Sequence, residues 1–193
     1  MKKEITYGVV GLFIGIIIGL IVSPMTLGTR PMSFAGSMNS TVDKHFIEQM
    51  IPHHEGAIAM AELALQRSKR PEILSLATNI IEAQQKEIVQ MNQWYSNWFS
   101  SSIPVHSMGG MVMSGMSMGS EKELEILRNS KDFDLEFIRQ MIPHHEMAVV
   151  MAEMLETSSN RKEMLNLAKQ ITISQSQEIE TMRGWYTSWS VIK

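Results

Sequence analysis

Histidine and methionine are the residues of this chain best suited to chemistry, and both are regularly spaced. His53-His54 and His144-His145 each follow Met-Ile-Pro and precede Glu. Imidazole is a borderline donor and thioether a soft, uncharged one that needs no deprotonation, so a Met/His set selects Cu(I) over hard ions such as Mg(II) or Ca(II). Ag(I) should bind the same donors, and imidazole also admits Cu(II). On helices, Met50, His53, Ala57 and Met60 share one stripe, while Met141, His144, Met147, Met151 and Met154 share its equivalent in steps of 3, 3, 4 and 3. By that count the second set is the richer site, and Met91 and Met182 join the candidates from further along the chain. The competing reading is packing, because methionine fills irregular core gaps well. His54 and His145, one step off the stripes, equally suit a structural role. Consecutive histidines on a regular helix point about 100° apart. Both members of a pair reach one ion only if the proline bend helps or another helix contributes.

A second group of donors stands apart from these stripes. Met108, Met111, Met113, Met116 and Met118 lie beside His106 in a Gly/Ser-rich stretch, 101–120, whose composition suits a linker. Core filling does not account for methionine there, and a flexible loop can wrap several thioethers about one Cu(I). A merely low-complexity loop is the alternative. Met25, Met32 and Met38 could be auxiliary donors.

Other motifs fail on inspection. His54-Glu55 needs a histidine at position 58 to make a zinc-protease motif, but Ile58 stands there and Val149 at the matching place. No Glu-x-x-His of the di-iron kind occurs. Glu87 and Glu178, which recur at equivalent places, are expected either to hydrogen-bond the histidines or to be solvated. There is no cysteine, hence no disulfide, zinc-thiolate site or nucleophilic thiol. No catalytic acid–base pair or open substrate site is evident, so a non-enzymatic role is expected.

The elements that must position these donors follow from a tandem repeat. At an offset of 91, Phe46 to Leu63 matches Phe137 to Met154 with 13 of 18 positions identical. The match continues through Gln84 and Gln175, Glu87 and Glu178, Met91 and Met182, and Trp94-Tyr95 with Trp185-Tyr186. Phe46, Ile47, Met50, Ile51, Ala57, Ile58, Ala61 and Leu65 keep helical steps. Thr41 or Asp43 is the expected cap of that helix and Ser68 to Pro71 its break. Proline suits a first turn, so a second helix is predicted from Pro71 to about Phe99. The second copy follows suit, with Ser130 or Asp132 as cap, a break at Thr157 to Asn160, and a last helix to Trp189; Glu121 to Leu127 could add a short helix. A lone hairpin cannot bury its apolar face, whereas two related by a pseudo-twofold axis can. The expected fold is all-α, an antiparallel four-helix bundle made of two tandem helical hairpins, 41–100 and 121–193. Trp94, Trp98, Trp185 and Trp189 fit its ends, with a cation–π role beside Cu(I) as the alternative.

Composition is consistent with this. Of 193 residues, 44% are hydrophobic and 19% charged, as in folded proteins. Net charge is -3, and removing Lys2, Lys3, Arg30 and Glu4 leaves 14 basic against 19 acidic residues, or -5, which disfavours nucleic acid as a partner. Lys2 and Lys3 precede Ile5 to Val22, an uncharged run of 18 residues near the lower limit for a membrane span. The expectation is an uncleaved transmembrane helix within 1–24, followed by a linker, 25–40; a cleaved signal peptide is the rival. The lysines would stay cytoplasmic and the bulk of the chain would face the periplasm, anchored to the inner membrane. Gly11, Gly15 and Gly19 could pair two anchors into a dimer, or be ordinary glycine in such a helix.

The pattern F-I-x-x-M-I-P-H-H-x-x-A, then M-A-E and E-I-x-x-M-x-x-W-Y, resembles the bacterial family known as domain of unknown function 305, over nearly the whole chain after residue 40. The resemblance implies a ferritin-like helical bundle, with some members linked to copper binding and resistance. It carries over Met50, His53, His54 and Met60 in the first copy and Met141, His144, His145 and Met151 in the second. The leading expectation is a protein that sequesters or relays Cu(I), with a copper efflux or chaperone partner. A helical interaction module whose methionines only pack is the alternative, and an oxidoreductase with a bound copper or iron centre has least support.

Overall fold

The computed structural model describes residues 34–100, 103 and 120–191, all within one unit, 33–193. The expected transmembrane helix with Gly11, Gly15 and Gly19, the auxiliary Met25 and Met32, and the loop donors His106 to Met118 lie outside the described residues. No described helix is long and apolar enough to cross a membrane.

Every regular element described is a helix: α1 (Phe34–Arg67), α2 (Pro71–Phe99), α3 (Glu121–Asn129), α4 (Phe133–Ser158) and α5 (Lys162–Ser190). The turns between partners are built alike. After α1, Ser68 Oγ accepts from the Arg70 amide at 3.1 Å, and after α4 the equivalent Ser159 Oγ accepts from the Arg161 amide at 3.1 Å. Pro71 then opens α2, where its missing N–H would have been unpaired in any case. Ser120 and Glu123 form a reciprocal capping box on α3, and the Asp132 carboxylate caps α4 by accepting from the Leu135 amide.

Two expectations need correcting. α1 starts at Phe34, inside the expected 25–40 linker, and runs through Thr41 and Asp43. Asp43 therefore caps nothing; it is buried and paired with Arg161 at 2.9 Å. Leu65 is 42% exposed, because the inward face of α1 closes on Ala57, Met60, Ala61 and Ala64.

α1 packs on α2, α4 on α5, and the two hairpins meet through α1 and α4, with α3 laid against both. The apolar interior divides into two clusters. One joins the C-terminal half of α1 to the first half of α4 and includes Ala57, Ala64, Ile73, Ile80, Phe137 and Ile138. The other joins the first half of α1 to the C-terminal half of α4 and includes Phe46, Ile47, Ile88, Ala152, Leu155 and Ile171. α1 and α4 therefore run antiparallel, and the residues between the clusters are the two His-His pairs.

Each end is clasped across the hairpins. Arg70 lies over Trp189 at 4.2 Å and pairs with Asp134 at 3.2 Å; Arg161 lies over Trp98 at 4.4 Å and pairs with Asp43. Trp94 stacks on Trp98 and Trp185 on Trp189, at 5.2 and 5.4 Å between centroids. The tryptophans thus mark the bundle ends as expected, and arginine supplies the cation over Trp98 and Trp189.

Candidate metal centre

α1 and α4 bring their histidines together. The rings of His53 and His144 lie 3.8 Å apart between centroids, whereas within each copy the neighbouring rings are 6.4 and 6.3 Å apart. The ring nearest each of these two histidines thus comes from the other helix and not from its own pair. Pro52 and Pro143 sit inside α1 and α4 one residue before the pairs. Each removes a backbone hydrogen bond, at about 3 kcal/mol or more, in the middle of a helix.

All four ring nitrogens of His53 and His144 are buried without a side-chain hydrogen-bond partner, each ring meeting only the other residue's backbone. Burial pushes the His53 imidazole down to about 3, with repulsion from His54 and His145 adding to the effect. Burial likewise holds His144 well below the ordinary range, reinforced by His53. Both rings are therefore neutral near pH 7, with unprotonated lone pairs.

The outer two histidines are fully buried and fixed from α2 and α5. His54 Nε2–H donates to Glu87 Oε2 at 2.6 Å and His145 Nε2–H to Glu178 Oε2 at 2.7 Å. Donation from Nε2 selects the tautomer that leaves the lone pair on Nδ1, and both Nδ1 atoms are buried and unpartnered. Of the two readings left open for Glu87 and Glu178, the hydrogen-bonded one holds in both copies.

Buried nitrogen without a partner costs on the order of 1–3 kcal/mol per group unless something ligates it. Six such nitrogens stand in one layer. The carbonyl oxygens of Gln84 and Gln175 are buried and unpartnered as well. Both glutamines were visible in the sequence as a repeated polar residue on an apolar helix face, a signal for an inward role that went unused. Among the described residues no group of three or more His, Asp or Glu side chains is placed to hold a metal ion by itself.

The methionines sort differently from the stripes read in sequence. Met60, Met141 and Met182 are buried in one apolar cluster; Met50 and Met91 are buried in the other, against which Met151 is partly buried. Each flank of the histidine layer thus mixes the two copies. Met164, overlooked in sequence, is buried beside Met50 and Met91 at the place of Ile73 in the first copy, which marks it as packing. The second-copy stripe does not stay together: Met141 is buried, Met147 half-buried, and Met154 is 65% exposed. A stripe spanning four turns of α4 is wider than the seam α1 covers. The first copy is no poorer than the second at the centre, since each supplies one ring of the close pair.

The model of the family described as domain of unknown function (DUF305) matches residues 43–186, spanning both copies. The chain belongs to the DUF305 family. Several solved DUF305-like structures share its fold. CopM in the Cu(I)-bound form is 46% identical, with a TM-score of 0.66 over 76% of this chain and 96% of that one. CopM has also been solved Cu(II)-bound and Ag-bound, at the same identity and TM-score. A DUF305 fragment from Deinococcus radiodurans is 31% identical with a TM-score of 0.66, over 76% of this chain and 96% of the fragment. The uncharacterized protein L153 of Acanthamoeba polyphaga mimivirus is 50% identical over 50 residues, about a quarter of this chain (26%) and a third of the viral protein (33%). The described residues of this DUF305 chain form only helices, and its nearness to CopM, crystallised with copper and silver, points to a copper-related role.

Proposed function

We propose that this protein binds Cu(I), and Ag(I) in its place, through the layer where α1 crosses α4, and that it sequesters or relays copper without catalysing a reaction. The observation that carries the reading is the His53–His144 pair: two neutral imidazoles from opposite copies, 3.8 Å apart, whose buried ring nitrogens make no hydrogen bond to any side chain. A soft monovalent ion suits such uncharged donors, and the methionines on both flanks are further ligands by chemistry. CopM, 46% identical, has been crystallised with Cu(I), Cu(II) and Ag, which supports the choice of ion.

In this reading Met50, Met60, Met91, Met141 and Met182 flank His53, His54, His144 and His145, and the loop donors His106 to Met118 add capacity outside the bundle. The apolar run at Ile5 to Val22 anchors the chain in the inner membrane with the bundle in the periplasm, where an efflux or chaperone partner would exchange copper. Membrane retention after alkaline carbonate extraction tests the anchor. For the ion, the full chain is titrated anaerobically with Cu(I) against a chromogenic chelator. The expectation is that H53A/H144A weakens the tightest binding at least ~100-fold, the upper end of what loss of a mere supporting group costs. Unchanged affinity in that variant would overturn the assignment and favour the other reading, a helical interaction module. Full burial of Met50, Met60, Met91, Met141 and Met182 is the observation on that side.

A further inference from the structure

The duplication provides an internal control for methionine. At the offset of 91, Gly56, Ala59, Met60 and Leu63 of α1 correspond to Met147, Val150, Met151 and Met154 of α4. In α1 this face is covered. α3 lies against α1 and α4, its Leu124 and Leu127 share the buried cluster with Met60, and Ala59 and Leu63 pack onto that cluster. Residues 30–38 would be the counterpart of α3 in the first copy, but from Phe34 onward they continue straight into α1 instead of forming a separate helix. The corresponding face of α4 has no such cover among the described residues. Met147 and Met151 are half-buried, Val150 is 49% exposed and Met154 is 65% exposed.

The substitutions between copies follow this difference. Where α1 has Gly56 and Leu63 against a covering helix, α4 has Met147 and Met154 facing outward. Met60 and Met151 are methionine in both, buried in one and half-buried in the other. Packing accounts for the covered face and for the inner side of Met151, but not for Met154 and the outer part of Met147, because a half-exposed thioether gains little from burial. Along α4 the three methionines stand at i, i+4 and i+7, so Met151 is a neighbour of both others. Their long, unbranched arms can converge over the middle residue.

We propose that Met147, Met151 and Met154 form a second soft-metal site on the open face of α4, which binds one Cu(I) or Ag(I) through thioethers alone, separately from the histidine layer. The proposal rests on the reading that the protein handles these ions and adds a point of first contact for them. Three uncharged sulfurs leave a hydrated hard cation or a proton unbound, and the exposed position allows rapid exchange. The buried layer offers donors without exposure; this face offers exposure with soft donors.

Ag(I), which is redox-inert, is the probe, and the full chain with methyl-13C methionine is titrated while the methionine signals are followed by NMR. Wild type is compared with M147L/M151L/M154L and with H53A/H144A. Leucine retains the apolar volume of this surface, and circular dichroism checks that each variant folds. The expected result is that the triple variant binds one Ag(I) fewer than wild type while its buried methionines still respond. H53A/H144A should keep the shifts of Met147, Met151 and Met154. If wild type and the triple variant bind the same number of Ag(I), or if those three signals never move while buried ones do, the α4 site is overturned and the central reading stands. If no methionine signal responds and no Ag(I) is bound, both fall together.

Discussion

The middle of the bundle and its two ends use the same duplicated residues under different constraints. At the centre each copy contributes His-His and a glutamate in matching geometry, 2.6 and 2.7 Å for the two His–Glu bonds. At the ends the same arginine–aspartate–tryptophan clasp occurs twice but in unequal surroundings. Asp43 is fully buried, whereas the Asp134 side chain is 19% exposed. A requirement shared by both copies keeps the centre symmetric. Where each copy meets different neighbours, identical residues acquire different energies, so each end is a control for the other.

The largest expected effect breaks the centre with acid. An unfolded histidine takes up a proton around 6.5, while folded His53 does so only at about 3 and His144 lies well below its ordinary range. Between those limits the unfolded chain binds more protons, so stability is complete above about 6.5 and falls as pH drops toward 3. His53 contributes up to ~1.4 kcal/mol per pH unit within that window, and His144 adds in the same direction. Urea unfolding of the chelator-treated protein at pH 7 and pH 5 should show the loss, and H53L/H144L should flatten it. An equal pH dependence in H53L/H144L would show that these rings are not the buried neutral pair.

The next effect sharpens the contrast between the ends. Arg161→Ala leaves Asp43 as a buried charge without its cation, which costs about 3 kcal/mol or somewhat more. Arg70→Ala removes the same contacts from the more exposed Asp134 and should cost about 1 kcal/mol. Thermal melts of both variants test the difference. Equal destabilisation would mean that stacking on Trp98 and Trp189, common to both ends, dominates the ion pair.

Much of this arrangement was legible in the sequence, for identifiable reasons. Apolar periodicity and the prolyl break placed α2 at Pro71, and the repeat supplied the second hairpin. The start of α1 was misread because Thr41 and Asp43 are good caps in isolation, while the helix propagates back to Phe34. Leu65 faces outward, and Met154 lies off the buried seam, because helical period sets the spacing of a face but not which neighbour covers it. The pairing of His53 with His144 depends on where α1 crosses α4, a tertiary fact with no local sequence signature. Glu87 and Glu178 were recognisable since a polar residue repeated beside an apolar stripe has few structural uses.

Those glutamates give the smallest expected effect, and the one that best tests central symmetry. Glu87→Gln or Glu178→Gln replaces an acceptor-only carboxylate by an amide that can present either its oxygen or its NH2 to His Nε2. The selection of the Nε2–H tautomer then weakens, and Nδ1 is no longer held free. Loss of such a supporting partner reduces metal affinity by ~10–100-fold. Because the two bonds differ by 0.1 Å and both histidines are fully buried, the two variants should lose Cu(I) affinity equally, within about threefold. Histidine 15N shifts in the metal-free protein supply the readout that a purely structural role would not move: protonation should redistribute between the nitrogens of His54 in E87Q and of His145 in E178Q. An unequal loss would locate the ion on one side of the pseudo-twofold axis, and unchanged tautomers would remove the glutamates from the site altogether.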